Sequence, residues 1–312
     1  MKVLVKLIYW LLYALSLLPL RVLYVFSDVL YLVAYRIVGY RKRVVRSNLS
    51  SSFPGKSEAE LRQVERRFYH WFCDYIVETV KLLSISANQL RRRMEFRGIE
   101  KVNECLGRGQ SCAIFLGHYC NWEWVTSLQL WTLPGAQCCQ VYHVLENRHV
   151  DNLFLKLRER FNSLCIPMAE TLRELVRYRQ KGQPVVIGYI SDQVPYWNNI
   201  HHWLTFLRQD TPVLTGTERI AAQTGHAVFY IDVTRPRRGY YRAELVPITL
   251  HPDRDINIQE PIYTDEMGHF KATDHYIQLL ETQIRECPEL WLWTHDRWKR
   301  TYNEWLQREA IQ

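Results

Sequence analysis

The chain has 312 residues, 47% of them hydrophobic and 13% aromatic, so material for a large core is present and disorder is excluded. Forty basic residues against 32 acidic give a net charge of +8, which suits an anionic partner without choosing among nucleic acid, lipid headgroups, phosphorylated substrates and an acidic carrier protein. The eight cysteines include no Cys-x-x-Cys pair, which leaves zinc and dithiol-redox readings without support; their even number would allow disulfides in an exported protein, but several lie in apolar runs and read as small core residues, so reduced thiols facing the cytoplasm are expected.

From Val3 to Leu20 the chain carries one charge, Lys6, close enough to the start to snorkel. Eighteen helical residues rise about 27 Å, near the hydrocarbon thickness of a bilayer, so this segment is expected to span a membrane or insert deeply into it. A cleaved signal peptide competes, because Ala14-Leu15-Ser16 has the small-x-small form of a cleavage site. Against it, the sequence stays apolar as far as Val38, where a mature soluble domain turns polar. Residues 21–38 hold Arg21, Asp28 and Arg36 among aliphatic and aromatic side chains and read as a helix lying along a membrane surface. The cluster Arg41-Lys42-Arg43 with Arg46 follows; the positive-inside rule puts the bulk of the chain in the cytoplasm, and such a cluster attracts anionic lipid. The expected organisation is an anchoring segment, 1–40, and a cytoplasmic domain, 41–312.

Ser57 and Glu60 form a capping box that opens a helix from Glu58 to about Leu83, with Phe68, Trp71, Phe72, Tyr75 and Ile76 recurring at helical spacing. A short strand (Met94–Gly98) and a helix (Ile99–Leu106) lead to the apolar run Cys112–Leu116, which has the length of a buried strand. A helix from about Trp122 to Trp131, a strand over Gln137–Val144 and a helix over Arg148–Phe161 come next. A basic helix, Thr171–Lys181, precedes a second buried strand, Pro184–Ile190, which ends in Ser191-Asp192-Gln193. Beyond an aromatic loop at 196–203 come a hairpin (Ala227–Val233 with Tyr241–Pro247) and an amphipathic helix, Thr273–Glu286. This order predicts one α/β domain with a mixed central sheet flanked by helices.

Chemistry concentrates behind the first buried strand. Gly117 ends the apolar run, His118 follows, and Glu123 comes five residues later as a helix begins. A strand-to-helix turn could fold the carboxylate back onto the imidazole, giving a general base, His118, oriented by Glu123. A structural histidine beside a surface glutamate fits the same spacing. The second buried strand repeats the layout with Asp192 at its end, where open α/β sheets hold their ligands and where an Asp also serves as a turn cap. His201-His202 lie adjacent on an extended segment and point opposite ways, so no metal site is expected.

Gly117-His118-Tyr119-Cys120-Asn121-Trp122-Glu123 resembles the glycine-His-aromatic-Gly-Asn-Trp-Glu signature of the bacterial lipid A biosynthesis lauroyl/myristoyl acyltransferases, which share a His-x4-acid motif with glycerol-phosphate acyltransferases. Cys120 stands where that family usually has glycine. Asp192-Gln193, Arg158-Glu159-Arg160 and the segment from Pro288 to Lys299 resemble further family segments. The resemblance implies a glycerol-phosphate-acyltransferase-like fold with a membrane-inserted N-terminal helix, at the bacterial inner membrane with its catalytic domain facing the cytoplasm. It implies acyl transfer from an acyl-carrier-protein or coenzyme A thioester to a hydroxyl of a lipid A precursor, with no cofactor, metal or nucleic acid. His118 and Glu123 would be catalytic; Arg158, Arg160, Asn121 and Asp192 would bind substrate, with Arg158 or a turn N–H near Asn121 meeting the oxyanion. The residues alone leave open another lipid acceptor, a nonenzymatic anionic-lipid-binding protein, and a thioesterase using Cys120.

Overall fold

The structure is a computed structural model and describes residues 2–248 and 269–310. The N-terminal part is helical: α1 (Lys2–Leu17), α2 (Leu20–Tyr31), a π-helical turn over Leu32–Val38, α3 (Lys42–Ser52), α4 (Glu58–Lys81) and α5 (Ala87–Arg91). Strands and helices then alternate through β1 (Met94–Arg97), α6 (Ile99–Gly107), β2 (Cys112–Leu116), α7 (Trp122–Val125), β3 (Gln137–Tyr142), α8 (Arg148–Arg158), β4 (Leu164–Pro167), α9 (Thr171–Gln180) and β5 (Val185–Ile190). A small hairpin, β6 (Trp203–Phe206) and β7 (Gln209–Pro212), precedes α10 (Gly216–Thr224), β8 (Ala227–Arg237), β9 (Tyr240–Pro247), α11 (Lys271–Glu286) and α12 (Tyr302–Glu309).

Seven strands form one mixed sheet in the order β1-β9-β8-β2-β5-β3-β4. Only the β8/β9 hairpin pairs antiparallel; the other neighbours run parallel. β2 lies in the middle, and all five of its residues are buried, as a parallel strand covered on both faces requires. Tyr276 of α11 stacks on Phe115 with ring centroids 4.7 Å apart, and α6 and α10 also pack against β2.

α4 starts where its capping box predicts: Ser57 accepts from the Glu60 N–H, and Glu60 returns a bond to the Ser57 N–H at 2.7 Å. Its buried face carries apolar Phe68 and Trp71 but also Asp74, Glu78 and Lys81. Those polar groups dock α2, since Ser27 Oγ donates to Asp74 at 2.7 Å and Tyr24 Oη to Glu78 at 2.7 Å. Leu20, Leu23, Tyr31 and Tyr35 belong to the same core as the sheet.

The expected apolar helix over residues 3–20 is broken. Pro19 has no N–H to continue the ladder and pushes Leu18 out of helical geometry, so α1 stops at Leu17 and a new helix starts at Leu20. Among the described residues no single helix is long and apolar enough to cross a membrane.

Candidate active site

β2 and β5 are adjacent parallel strands in a register that pairs Leu116 with Ile190, so the residues just beyond both strands emerge side by side at the carboxyl edge of the sheet. The Ser191 N–H continues the ladder to the Leu116 carbonyl at 3.1 Å. His118 and Asp192 therefore meet. The imidazole Nδ1 lies 2.6 Å from Asp192 Oδ1, and the His118 backbone N–H donates to Oδ2 at 2.7 Å. A third donor, the Trp291 indole N–H, reaches Oδ2 at 2.8 Å. Gly117 permits this approach: a Cβ there would stand 2.9 Å from Leu280 Cδ1 and 3.2 Å from Asp192 Oδ2.

The Asp192 side chain is 2% exposed. Burial alone would raise its pKa, but the His118 charge and the three hydrogen bonds overcome it and pull the group down to about 2. Ionised Asp192 accepts only, so it fixes the proton on Nδ1 and leaves the Nε2 lone pair outward, 3.3 Å from Gln193 Nε2.

The contact expected between His118 and Glu123 is not formed. Both Glu123 oxygens are held by a side-on fork from Arg158, Nε to Oε2 at 2.9 Å and Nη2 to Oε1 at 2.6 Å. The Glu123 side chain is 1% exposed and that of Arg158 22%. Burial alone would lower the Arg158 pKa, but the Glu123 carboxylate holds it above its ordinary value. Arg158, expected to contact substrate alone, thus comes as half of a pair.

Asn121 is the N-cap of α7: its Oδ1 accepts the Trp124 N–H at 3.1 Å, and its Nδ2 donates to buried Glu78 at 2.7 Å. Its side chain is therefore a folding element and does not line the cavity. Arg160 points elsewhere too, donating to the Leu82 carbonyl. Cys120 has φ +52°, the left-handed conformation that suits the glycine it replaces. Its thiol is fully buried, burial raises its pKa well above the usual range, and it does not reach the cavity, so a Cys120 thioesterase is not supported.

A cavity of about 640 Å³ opens in front of His118. Its floor is one face of three neighbouring strands, where register aligns Ile114 and Leu116 with Val186, Gly188 and Ile190 and with Cys138 and Gln140. Trp122, Val125 and Leu128 line it beside α7, and Phe154 and Leu155 line it from α8. His118, Glu123, Arg158, Gln193 and His295 supply polar lining. Burial, then the Arg297 charge, push the His295 pKa down to about 4 against the attraction of Asp192, so this second imidazole is neutral at pH 7.

The C-terminal segment builds the back of the site. The Cys120 N–H donates to the Leu290 carbonyl at 2.8 Å, and the Leu292 N–H to the His118 carbonyl at 3.1 Å. The sequence placed Gln193, Trp291 and His295 in segments with a family resemblance but assigned none of them a role at the site. His202 pairs with Asp274 at 2.6 Å, and among the described residues no three metal-ligating side chains converge.

Residues 2–300 match the family profile described as bacterial lipid A biosynthesis acyltransferase. No curated protein matches the chain.

Proposed function

Since the chain belongs to the bacterial lipid A biosynthesis acyltransferases and is therefore an acyltransferase, we propose that it transfers a fatty acyl group from a thioester of acyl-carrier protein or coenzyme A to a hydroxyl of a lipid A precursor, with His118 as general base and Asp192 as its orienter. The observation that carries this reading is a carboxylate-held imidazole opening onto a largely apolar cavity about 640 Å³ in volume.

The acceptor O–H gives its proton to His118 Nε2 while its oxygen attacks the thioester carbonyl carbon. The tetrahedral adduct expels the thiolate, the C–S bond breaks, and the imidazolium returns the proton to sulfur. An ester and a free thiol result. Asp192 keeps its negative charge throughout and stabilises the imidazolium. The Arg158 fork uses Nε and Nη2 on Glu123, so Nη1 remains for the developing oxyanion, and a preorganised donor of this kind is worth about 3 kcal/mol. The fatty chain lies on the floor of Ile114, Val186 and Gly188.

The substrates are lipids, and the N-terminal helices suit a membrane surface. Leu7, Trp10, Leu11 and Leu17 form one exposed apolar stripe on α1, and Val22, Val25, Phe26 and Val29 form another on α2. We infer a protein held at the cytoplasmic face of the inner membrane by these stripes, with the basic residues after Val38 on the same side. Membranes containing the protein, incubated with labelled acyl thioesters and lipid A precursor, are expected to yield a precursor heavier by one acyl group. Labelling of a different lipid, with the precursor unchanged, would reassign the acceptor.

A further inference from the structure

The break between α1 and α2 creates a second cavity, of about 280 Å³, lined by Pro19, Leu20, Lys81, Arg92, Arg93 and Tyr240 among others, none of them acidic. Lys81 is 7% exposed and caps the frayed end of α1, its Nζ donating to the Ser16 carbonyl at 2.8 Å and the Leu18 carbonyl at 3.0 Å. An ammonium has three hydrogens, so one remains. Burial, followed by the like charges of Arg93 and Arg160, lowers the Lys81 pKa, and no carboxylate offsets them. Arg93 donates to the Gly239 carbonyl at 3.1 Å and lies 4.6 Å from the Tyr240 ring centre. The Arg92 guanidinium has no hydrogen-bond or ion-pair partner among the described residues. The carbonyl end of α1 supplies only about half a negative charge. Buried Lys81, half-buried Arg93 and exposed Arg92 thus line one concavity that no acidic side chain lines.

The surroundings say what kind of anion fits. Exposed Leu17 and Val22 flank the break, at the ends of the two apolar stripes. A free anion has no use for such flanks; an anion carrying hydrocarbon tails does. By contrast, three of the four cations in the cluster after Val38 are engaged elsewhere, with Lys42 over the Tyr35 ring at 3.9 Å, Arg41 donating to the Thr294 carbonyl at 2.9 Å and Arg46 paired with Glu65 at 2.8 Å, while Arg43 is exposed and lines no cavity with them.

We propose that the Lys81–Arg92–Arg93 cavity binds the phosphodiester headgroup of an anionic phospholipid whose acyl chains lie along the exposed faces of α1 and α2. This rests on the reading that those faces meet lipid, and it is independent of the chemistry at His118. The site fixes how deep and in which orientation the protein sits on the membrane.

Two measurements on the full chain test it. In flotation, wild type is expected to bind phosphatidylcholine vesicles and to bind more tightly when they contain phosphatidylglycerol, with about a fivefold loss of that preference for each cation removed in Arg92→Gln and Arg92→Gln/Arg93→Gln. In native mass spectrometry from mild detergent, wild type and the control Arg43→Gln retain one phosphatidylglycerol that the double variant loses at unchanged melting temperature. Should Arg93→Gln disturb the Gly239 contact and the fold, Arg92→Gln alone carries the test. Equal retention by wild type and variant, or no preference for phosphatidylglycerol, overturns the site while leaving the membrane reading standing. Failure of wild type to float with either vesicle overturns both. Displacement of the lipid by inorganic phosphate would assign the cavity to free phosphate and overturn the phospholipid assignment.

Discussion

Replacing Asp192 by Asn separates this account from the alternative in which Glu123 orients the base. The carboxylate takes three donors: the imidazole Nδ1 on one oxygen, and the His118 N–H and Trp291 indole on the other. An amide must turn its NH2 toward one set. Facing the two fixed N–H groups would leave two buried donors unsatisfied at about 1–3 kcal/mol each, so the NH2 faces Nδ1. The imidazole then carries its proton on Nε2, and the base is lost. A carboxylate-to-amide change of this kind in the serine-protease triad costs about 10⁴ in kcat, and a loss of about 10³–10⁴ is expected here with little change in the KM for acyl donor.

Stability should fall as well. The folded pKa of Asp192 is depressed from 3.8 to about 2, which is worth about 2 kcal/mol. That stabilisation is complete above about pH 4 and disappears as pH falls through about 2. The melting deficit of Asp192→Asn should therefore be present at pH 7 and shrink toward pH 2. Rates are read by product mass on protein shown to be folded by thermal melting, with Glu123→Gln alongside. Asp192→Asn activity within tenfold of wild type, with Glu123→Gln inactive though folded, would refute the reasoning.

Three further predictions follow from individual side chains. Gly188→Val should shorten the accepted acyl chain by about two to three methylenes, each worth about 1–3 kcal/mol. The fold has room, because a Cβ at Gly188 meets only Leu116 Cδ2 at 3.6 Å and the Cys139 carbonyl at 3.8 Å; an unchanged chain-length profile by mass spectrometry counts against the floor as the acyl site. Burial, then the Glu286 and Glu244 charges, raise the Asp232 pKa to about 6, so its ionised form weakens the fold as pH climbs through 6. Asp232→Asn, which keeps an acceptor for Gln283, should gain about 1 kcal/mol at pH 8 and nothing at pH 4, read by thermal melting. Cys120→Gly should keep full acyl transfer, relief of about 1 kcal/mol of left-handed backbone strain being set against a small loss of buried sulfur; an inactive but folded variant would revive the thiol mechanism.

Local pattern made much of the scaffold legible. The α4 cap, the buried strands β2 and β5, and the β8/β9 hairpin are written in short-range residue order, and each forms within a few residues of its expected limits. Peripheral β4, β6 and β7 were not: strands of four residues, one ending in Pro167 and one holding Gln209 and Asp210, carry too few alternations to register as period two. The apolar N-terminus read as one long helix because hydropathy was continuous; Pro19 overruled it.

At the site, His118 was visible as a polar residue closing a buried strand. Its partner was misread because spacing along the chain favours Glu123 at five residues over Asp192 at 74, and only strand adjacency brings the distant carboxylate close. The clue lay in the two strands ending alike. The resemblance pointed to Arg158, but its fork onto Glu123 joins α8 to α7 and has no short-range signature.

The central claim is that the Nε2 lone pair of His118 removes the acceptor proton. Its most direct test uses purified full-length wild type and His118→Ala with an acyl thioester and lipid A precursor, read by product mass. Wild type should add one acyl group; the variant, melting normally, should retain the precursor unmodified. Comparable acylation by folded His118→Ala would contradict the account.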